Sequence, residues 1–91
     1  MNNTTETETL DIEVPEENKL DASGLYCPEP VMMLHNKIRE ISEGSVLHLL
    51  ATDPSTTRDV PKFCVYLGHE LIKEERDGEN FQYWIRKKAE E

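Results

Sequence analysis

The stretch Gly24-Leu25-Tyr26-Cys27-Pro28-Glu29-Pro30 marks the point where the sequence changes from a strand pattern to a helix pattern. Before it, residues 19–23 place Leu20 and Ala22 on one face, which predicts a short first strand. Gly24 is a typical strand-ending residue. The stretch therefore predicts a strand-to-helix connection with one cysteine in it.

The position of Cys27 in this connection gives it a chemical environment. A proline at the first helical position loses no hydrogen bond, so Pro28 predicts the start of the helix and puts Cys27 at or beside its N-cap. Free backbone N–H groups and the helix dipole there favour the thiolate. Glu29 opposes this effect, because its carboxylate would repel a thiolate. A cysteine outside any apolar stripe is also poorly placed for burial, so we predict an exposed nucleophile.

The chain after Pro28 alternates between helix and strand patterns. Apolar residues recur at spacings of three, four and three, and Ser42-Glu43-Gly44 ends that helix. Residues 45–52 are rich in Leu and Val, which predicts a central strand. The apolar stripe of the helix consists of Val31, Leu34, Ile38 and Ile41.

A second helix follows the polar connection at residues 53–59. Pro61 fits best in its first turn with Asp59 as N-cap, and Gly68 is its predicted end. A helix that began back at Ser55 would be expected to kink at Pro61. Its apolar side is predicted to hold Val60, Phe63, Cys64 and Leu67.

The last part of the domain reads as a β-hairpin. Asp77-Gly78 is a strong turn signal between strands predicted at residues 69–77 and 80–88. The order is then β-α-β-α-β-β, with two helices that each have one apolar side. This predicts an α+β fold, a two-layer α/β sandwich with a four-stranded mixed sheet and both helices on one face. The first strand should lie beside the second, with the third at the outside.

Acidic residues are concentrated at the N-terminus. The chain carries 19 acids and 10 bases, for a net charge of -9, and six of the acids but none of the bases lie in residues 1–18. We predict an acidic, disordered tail there and a single domain at residues 19–91. The alternation in residues 10–14 leaves open a short edge strand that Pro15 would end.

Composition also excludes several function classes. An acidic balance argues against direct nucleic-acid binding. No apolar run is long enough to cross a membrane and no signal peptide is visible, so we expect a cytoplasmic protein. Two cysteines, Cys27 and Cys64, do not make a disulfide framework, and the three histidines are scattered. We expect no metal site and no cofactor.

Residues 24–32 resemble the Cys-Pro-x-Pro signature of the TusA (also called SirA or YhhP) family of small sulfur carriers. Residues 53–64 and 68–71 are similar to that family's loop and second helix, and residues 83–87 extend the likeness, so that it covers residues 20–88. The resemblance implies a β-α-β-α-β-β sandwich like the C-terminal domain of a translation initiation factor.

The same resemblance implies a function. Cys27 would accept sulfane sulfur from a cysteine desulfurase as a persulfide and pass it to a downstream sulfur-relay protein, for 2-thiouridine synthesis at the tRNA wobble position. The chain would act as a carrier within a sulfurtransferase system rather than as an independent multiple-turnover enzyme. Delivery to another sink, such as molybdenum cofactor or sulfur oxidation, is the alternative. A regulatory or RNA-binding module is a further alternative from fold analogy alone.

Five residues around Cys27 are predicted to bind these partner proteins. Structural roles as helix caps, a first-turn acid or core filler explain some of the same residues, and Met33 and Cys64 are expected in the core. The predicted partner-binding residues are Glu29, Met32, His35, Arg58 and Asp59.

Overall fold

The computed structural model describes residues 14–89, which contain the predicted order of strands and helices. The alternative edge strand at residues 10–14 falls almost wholly outside them. One turn of 3-10 helix, Glu16–Asn18, precedes the first strand, and the buried Asn18 amide donates to the Val46 carbonyl at 3.1 Å. The elements are β1 (Lys19–Ala22), α1 (Glu29–Glu40), β2 (Val46–Ala51), α2 (Thr56–Leu67), β3 (Glu70–Asp77) and β4 (Asn80–Arg86).

The four strands form one mixed sheet in the order β1-β2-β4-β3. β1 is parallel to β2, as the crossover through α1 requires, and β4 is antiparallel to both of its neighbours. The hairpin partner β3 lies at the outer edge, where its exposed polar residues suit it. The predicted two-layer α+β sandwich is confirmed.

The core lies between the sheet and the two helices. Alternate residues of β2 and β4 point into it, because side chains along a strand alternate between faces. The predicted stripe of α1 contributes Leu34, Ile38 and Ile41. The buried core side chains are those of Ala22, Leu34, Ile38, Ile41, Leu47, Leu49, Val60, Phe63, Cys64, Phe81, Tyr83 and Ile85.

The start of α2 differs from the prediction. Ser55 is the N-cap, and the Asp59 N–H donates to the Ser55 carbonyl at 2.9 Å, so Asp59 lies within the helix and is not its cap. The cause is long-range, since the Thr56 hydroxyl is buried within 2.7 Å of the Asp53 carbonyl and 2.8 Å of the Tyr83 phenol. Pro61 therefore lies inside the helix, beyond its first turn.

The start of α1 is also one residue later than predicted. Pro28 is the N-cap rather than the first helical residue, and Pro30 is the proline within the first turn. The Cys27–Pro28 peptide bond is cis. The Glu29 N–H donates to the Tyr26 carbonyl at 2.8 Å, which closes a turn at residues 26–29 before the helix begins. Cys27 is consequently beside the N-cap.

Candidate functional site

Cys27 is exposed in the connection between β1 and α1. The connection leaves the strand at Gly24, whose φ of 83° lies in the left-handed region that glycine tolerates. The Gly24 N–H donates to the Thr52 hydroxyl at 2.8 Å, which ties the connection to the end of β2. The sheet thus presents the thiol at the edge where β1 and β2 both end.

Asp53 fixes the backbone of Cys27. Its carboxylate accepts the Cys27 N–H at 2.6 Å, across 26 residues of sequence, and it also accepts the N–H of Ser55 at 3.0 Å and the Ser55 hydroxyl at 2.8 Å. The side chain is only 7% exposed. The Ser55 hydrogen bonds, helped by those from Cys27 and by the charge of Arg58, outweigh burial and hold the pKa of Asp53 below its ordinary value. A charged carboxylate therefore joins Cys27 to the start of α2.

Asp59 contacts the sulfur itself. The Cys27 Sγ lies 3.6 Å from Asp59 Oδ2 and donates to it, while Arg58 Nε donates to Asp59 Oδ1 at 3.1 Å. Asp59 and Arg58 were predicted to bind partners, and the structure brings Asp59 to the thiol and pairs Arg58 with Asp59. Few of the free backbone N–H donors that were predicted at the start of α1 remain for the sulfur. Pro28 and Pro30 have no N–H, and the Glu29 N–H donates to the Tyr26 carbonyl.

An interhelical groove of about 710 Å³ opens beside Cys27, between α1 and α2. His35 lies in it with its ring edge-on to Phe63, the centroids 4.7 Å apart. Val65 and Tyr66 are 82% and 90% exposed, and sequence reasoning missed them. Their signal is that both are apolar yet fall outside the predicted stripe of α2. The groove is lined by Pro28, Val31, His35, Asp59, Pro61, Lys62, Phe63, Val65, Tyr66 and Leu67.

Glu29 and Met32 face a second depression, of about 270 Å³, that they share with Leu25, Met33 and Asn36. Met32 is 57% exposed, whereas Met33 packs against the core as predicted. The predicted partner residues thus divide into two sets. Asp59 and His35 line the interhelical groove, with Arg58 paired to Asp59. Glu29 and Met32 line the other depression.

Cys64 has the opposite environment from Cys27. It is 2% exposed on the core side of α2, as predicted, and burial, with a smaller contribution from Glu74, raises the pKa of its thiol to about 11. Both cysteines are free. Within residues 14–89, no cluster of three or more His, Cys, Asp or Glu side chains is arranged to hold a metal ion. Over the same range, no helix is long and apolar enough to cross a membrane.

The chain is similar to known proteins along most of its length. The family model described as Sulfurtransferase TusA matches residues 18–87, which include the four strands and both α-helices. The chain belongs to the TusA family. It is 62% identical over 71 residues to the sulfur carrier protein TusA of Pseudomonas paraeruginosa (strain DSM 24068 / PA7), which covers 78% of this chain and 90% of that protein. The two are therefore similar along nearly the whole fold.

Two further relatives give the same result. The chain is 61% identical over 72 residues to the sulfur carrier protein TusA of Pseudomonas syringae pv. syringae (strain B728a), covering 79% of this chain and 86% of the relative. It is 62% identical over 71 residues to the sulfur carrier protein TusA of Pseudomonas entomophila (strain L48), covering 78% and 89%. A sulfur carrier role for this TusA-family chain follows from this similarity.

Proposed function

We propose that this chain accepts sulfane sulfur from a cysteine desulfurase as a persulfide on Cys27 and relays it for 2-thiouridine synthesis at the tRNA wobble position. The carrier role rests on the family. The proposal adds the residue that carries the sulfur, the protein that donates it, the downstream sulfur-relay protein that accepts it and the product in which it ends. The observation that carries it is that Cys27 is exposed in a connection whose backbone Asp53 holds.

The chemistry requires a thiol that two different partners reach in turn. Cys27 attacks the outer sulfur of the donor persulfide, so that a new S–S bond forms on Cys27 and the donor's S–S bond breaks. The donor leaves as a thiol and takes up the proton that Cys27 releases. A thiolate of the acceptor then repeats the step on the outer sulfur of Cys27. An exposed thiol in a fixed loop suits both steps.

The surroundings of Cys27 favour a carrier over an independent enzyme. The second cysteine of this chain is buried in the core, so Cys27 has no exposed thiol of the same chain to pass its sulfur to, and a thiol of another protein would take it. The interhelical groove and the depression at Glu29 and Met32 offer apolar surface on both sides of Cys27. Exposed apolar surface of this kind is typical of protein docking sites. We propose that partners dock on these two surfaces and complete the reaction.

Sulfur loading tests the central part of the proposal. The chain is incubated with a cysteine desulfurase and cysteine, and its intact mass is measured before and after treatment with a reductant. Wild type should gain one sulfur atom that the reductant removes. Cys27→Ser should gain none, and Cys64→Ala, the matched control, should load normally. Absence of sulfur on wild type, or equal loading of Cys27→Ser, contradicts the proposal.

The sink needs a separate experiment. In cells that lack this chain, tRNA should lose wobble 2-thiouridine, and a copy of the wild-type chain but not of Cys27→Ser should restore it. Nucleoside analysis of total tRNA by mass spectrometry gives the result. Intact 2-thiouridine together with a defect in another sulfur-containing product would contradict the tRNA pathway and favour another sink for the same carrier.

A further inference from the structure

We infer that Asp59 holds Cys27 as a hydrogen-bonded thiol and restrains its reaction until a cationic group of the sulfur donor pairs with that carboxylate. The inference deepens the proposed function, on which it rests, because it names a positioning residue and the charge of the group that must approach. It begins from one contact, between Cys27 Sγ and Asp59 Oδ2 at 3.6 Å.

Both partners in this contact are fixed by their backbones. The Asp59 N–H is bonded into the first turn of α2 through the Ser55 carbonyl, and the Asp59 side chain is only 22% exposed. The Cys27 N–H is held by Asp53 at 2.6 Å. Asp53 also receives two hydrogen bonds from Ser55, so the same short segment at the start of α2 positions both residues. The fold therefore holds Cys27 and Asp59 within contact distance of each other.

The charges around Cys27 are mostly negative. Asp53 and Asp59 contact the residue directly, and Glu29 lies in the first turn of α1. On the other side, the Arg58 guanidinium pairs with Oδ1 of Asp59, the oxygen that does not face the sulfur. The other ionisable side chains that line the interhelical groove are those of His35, Lys62 and Tyr66.

A thiolate on Cys27 would therefore face the Asp59 oxygen with which Arg58 does not pair. Like charges at this distance repel, and the repulsion is weakened but not abolished at a partly exposed site. A cation brought to Oδ2 by the donor would remove the repulsion at the moment of transfer. The Cys27 sulfur is then oxidised to the persulfide level, the donor's inner sulfur is reduced to the thiol, and the Cys27 proton passes to that leaving sulfur.

Thiol–disulfide exchange with two small disulfides tests the inference without any sulfur donor. Cystamine carries two cations and bis(2-hydroxyethyl) disulfide carries none, and the rate of mixed-disulfide formation on Cys27 is followed by mass spectrometry across a range of pH. Asp59→Asn should react with the neutral disulfide about fivefold to tenfold faster than wild type at neutral pH. The preference of this variant for cystamine over the neutral disulfide should fall.

Glu29→Gln is the matched control, since it removes the same charge nearby without touching the sulfur. Its rate with the neutral disulfide should rise by about twofold at most, because exposed charges are well screened. An Asp59→Asn rate equal to or below that of wild type, or an equal gain in Glu29→Gln, overturns the inference. Arg58→Gln provides a second test if Asp59→Asn does not fold. Its rate with the neutral disulfide should fall, and a rise would overturn the inference.

The outcome is separable from that of the proposed function. Exchange with small disulfides requires only the thiol, whereas sulfur loading requires the desulfurase to recognise the chain. Normal loading of wild type with no effect of Asp59→Asn on exchange overturns the role of Asp59 alone. Absence of loading on wild type overturns the proposed function and leaves the exchange rates to decide the role of Asp59.

Discussion

The two cysteines of this chain lie in opposite environments. Cys27 is exposed in a connection whose backbone is fixed from a distance by Asp53, and its sulfur touches the polar side chain of Asp59. Cys64 is in the core beside Phe63, and burial raises the pKa of its thiol to about 11. Residue type alone therefore does not determine reactivity, since the fold exposes one thiol and buries the other.

The largest difference should be in alkylation of the native protein. Because burial raises the pKa of Cys64 to about 11, its thiolate population at neutral pH falls about a hundredfold relative to an ordinary thiol, and its access is lost as well. Iodoacetamide should therefore modify Cys27 and leave Cys64 unmodified until urea unfolds the chain. Peptide mapping measures both. Equal labelling of the two thiols in native buffer would contradict the predicted difference in their reactivity.

For the stability of the fold, Cys64 should matter more than Cys27. Cys64→Ser buries a hydroxyl in the core and should lower the free energy of unfolding by about 1–3 kcal/mol. Cys27→Ser changes an exposed side chain and should stay within about 0.5 kcal/mol of wild type. Urea denaturation of both variants at the same pH provides the measurement. A larger loss for Cys27→Ser than for Cys64→Ser would show that the Cys27 connection, and not the core, limits stability.

Asp53 should make the Cys27 connection sensitive to acid. Its pKa is lowered in the folded state, so its contribution to stability is fully present above the ordinary carboxyl value and is lost as the pH falls through the lower, folded-state pKa. Asp53→Asn should therefore be less stable than wild type at neutral pH, and the two should converge in acid. Urea denaturation at a series of pH values tests this. A stability gap that stays constant down to strong acid would argue against the charged Asp53 as the anchor.

His69 should give the smallest effect, on the Cys64 side of the molecule. Its N–H donates to the Cys64 carbonyl and its Nδ1 accepts the Lys88 N–H at 2.9 Å. Burial, and then the charges of Lys88, Lys87 and His35, lower the pKa of His69. The unfolded chain therefore binds the proton first, so stability should fall as the pH drops below about 6.5 and level off below the folded-state pKa.

His69→Gln should flatten this part of the stability profile, which thermal denaturation between about pH 5 and 7 would show. His48→Gln is the control, since His48 stacks on Trp84 elsewhere in the sheet. If His48→Gln loses the pH dependence of stability and His69→Gln keeps it, then His48 causes the effect and the prediction is wrong.

The repeating patterns of the sequence were sufficient to predict the two layers of the fold. The spacing of the α1 stripe, the alternation in β4 and the Asp77-Gly78 turn each depend on residues close in sequence, and each was confirmed. The start of α2 was predicted wrongly, because the contacts that set it come from Asp53 and from Tyr83, 27 residues from Thr56. Local capping preference could not include them.

The site shows the same division. Cys27 stands out in the sequence because Pro28 and Pro30 follow it in a connection, and its exposure was expected from that position. Its contacts with Asp53 and Asp59 span 26 and 32 residues and follow only from the packing of α2 beside the connection. Asp53 and Asp59 were visible in the sequence as polar connection residues, but nothing local indicated which atoms of Cys27 they would contact.

The most direct test of the account is the location of the transferred sulfur in the wild-type chain. After incubation with a cysteine desulfurase and cysteine, persulfides are trapped with a neutral alkylating reagent and mapped by tandem mass spectrometry of the peptides that contain Cys27 and Cys64. The trapped persulfide should be on Cys27, with none on Cys64. A persulfide on Cys64, or on neither residue, would contradict this prediction.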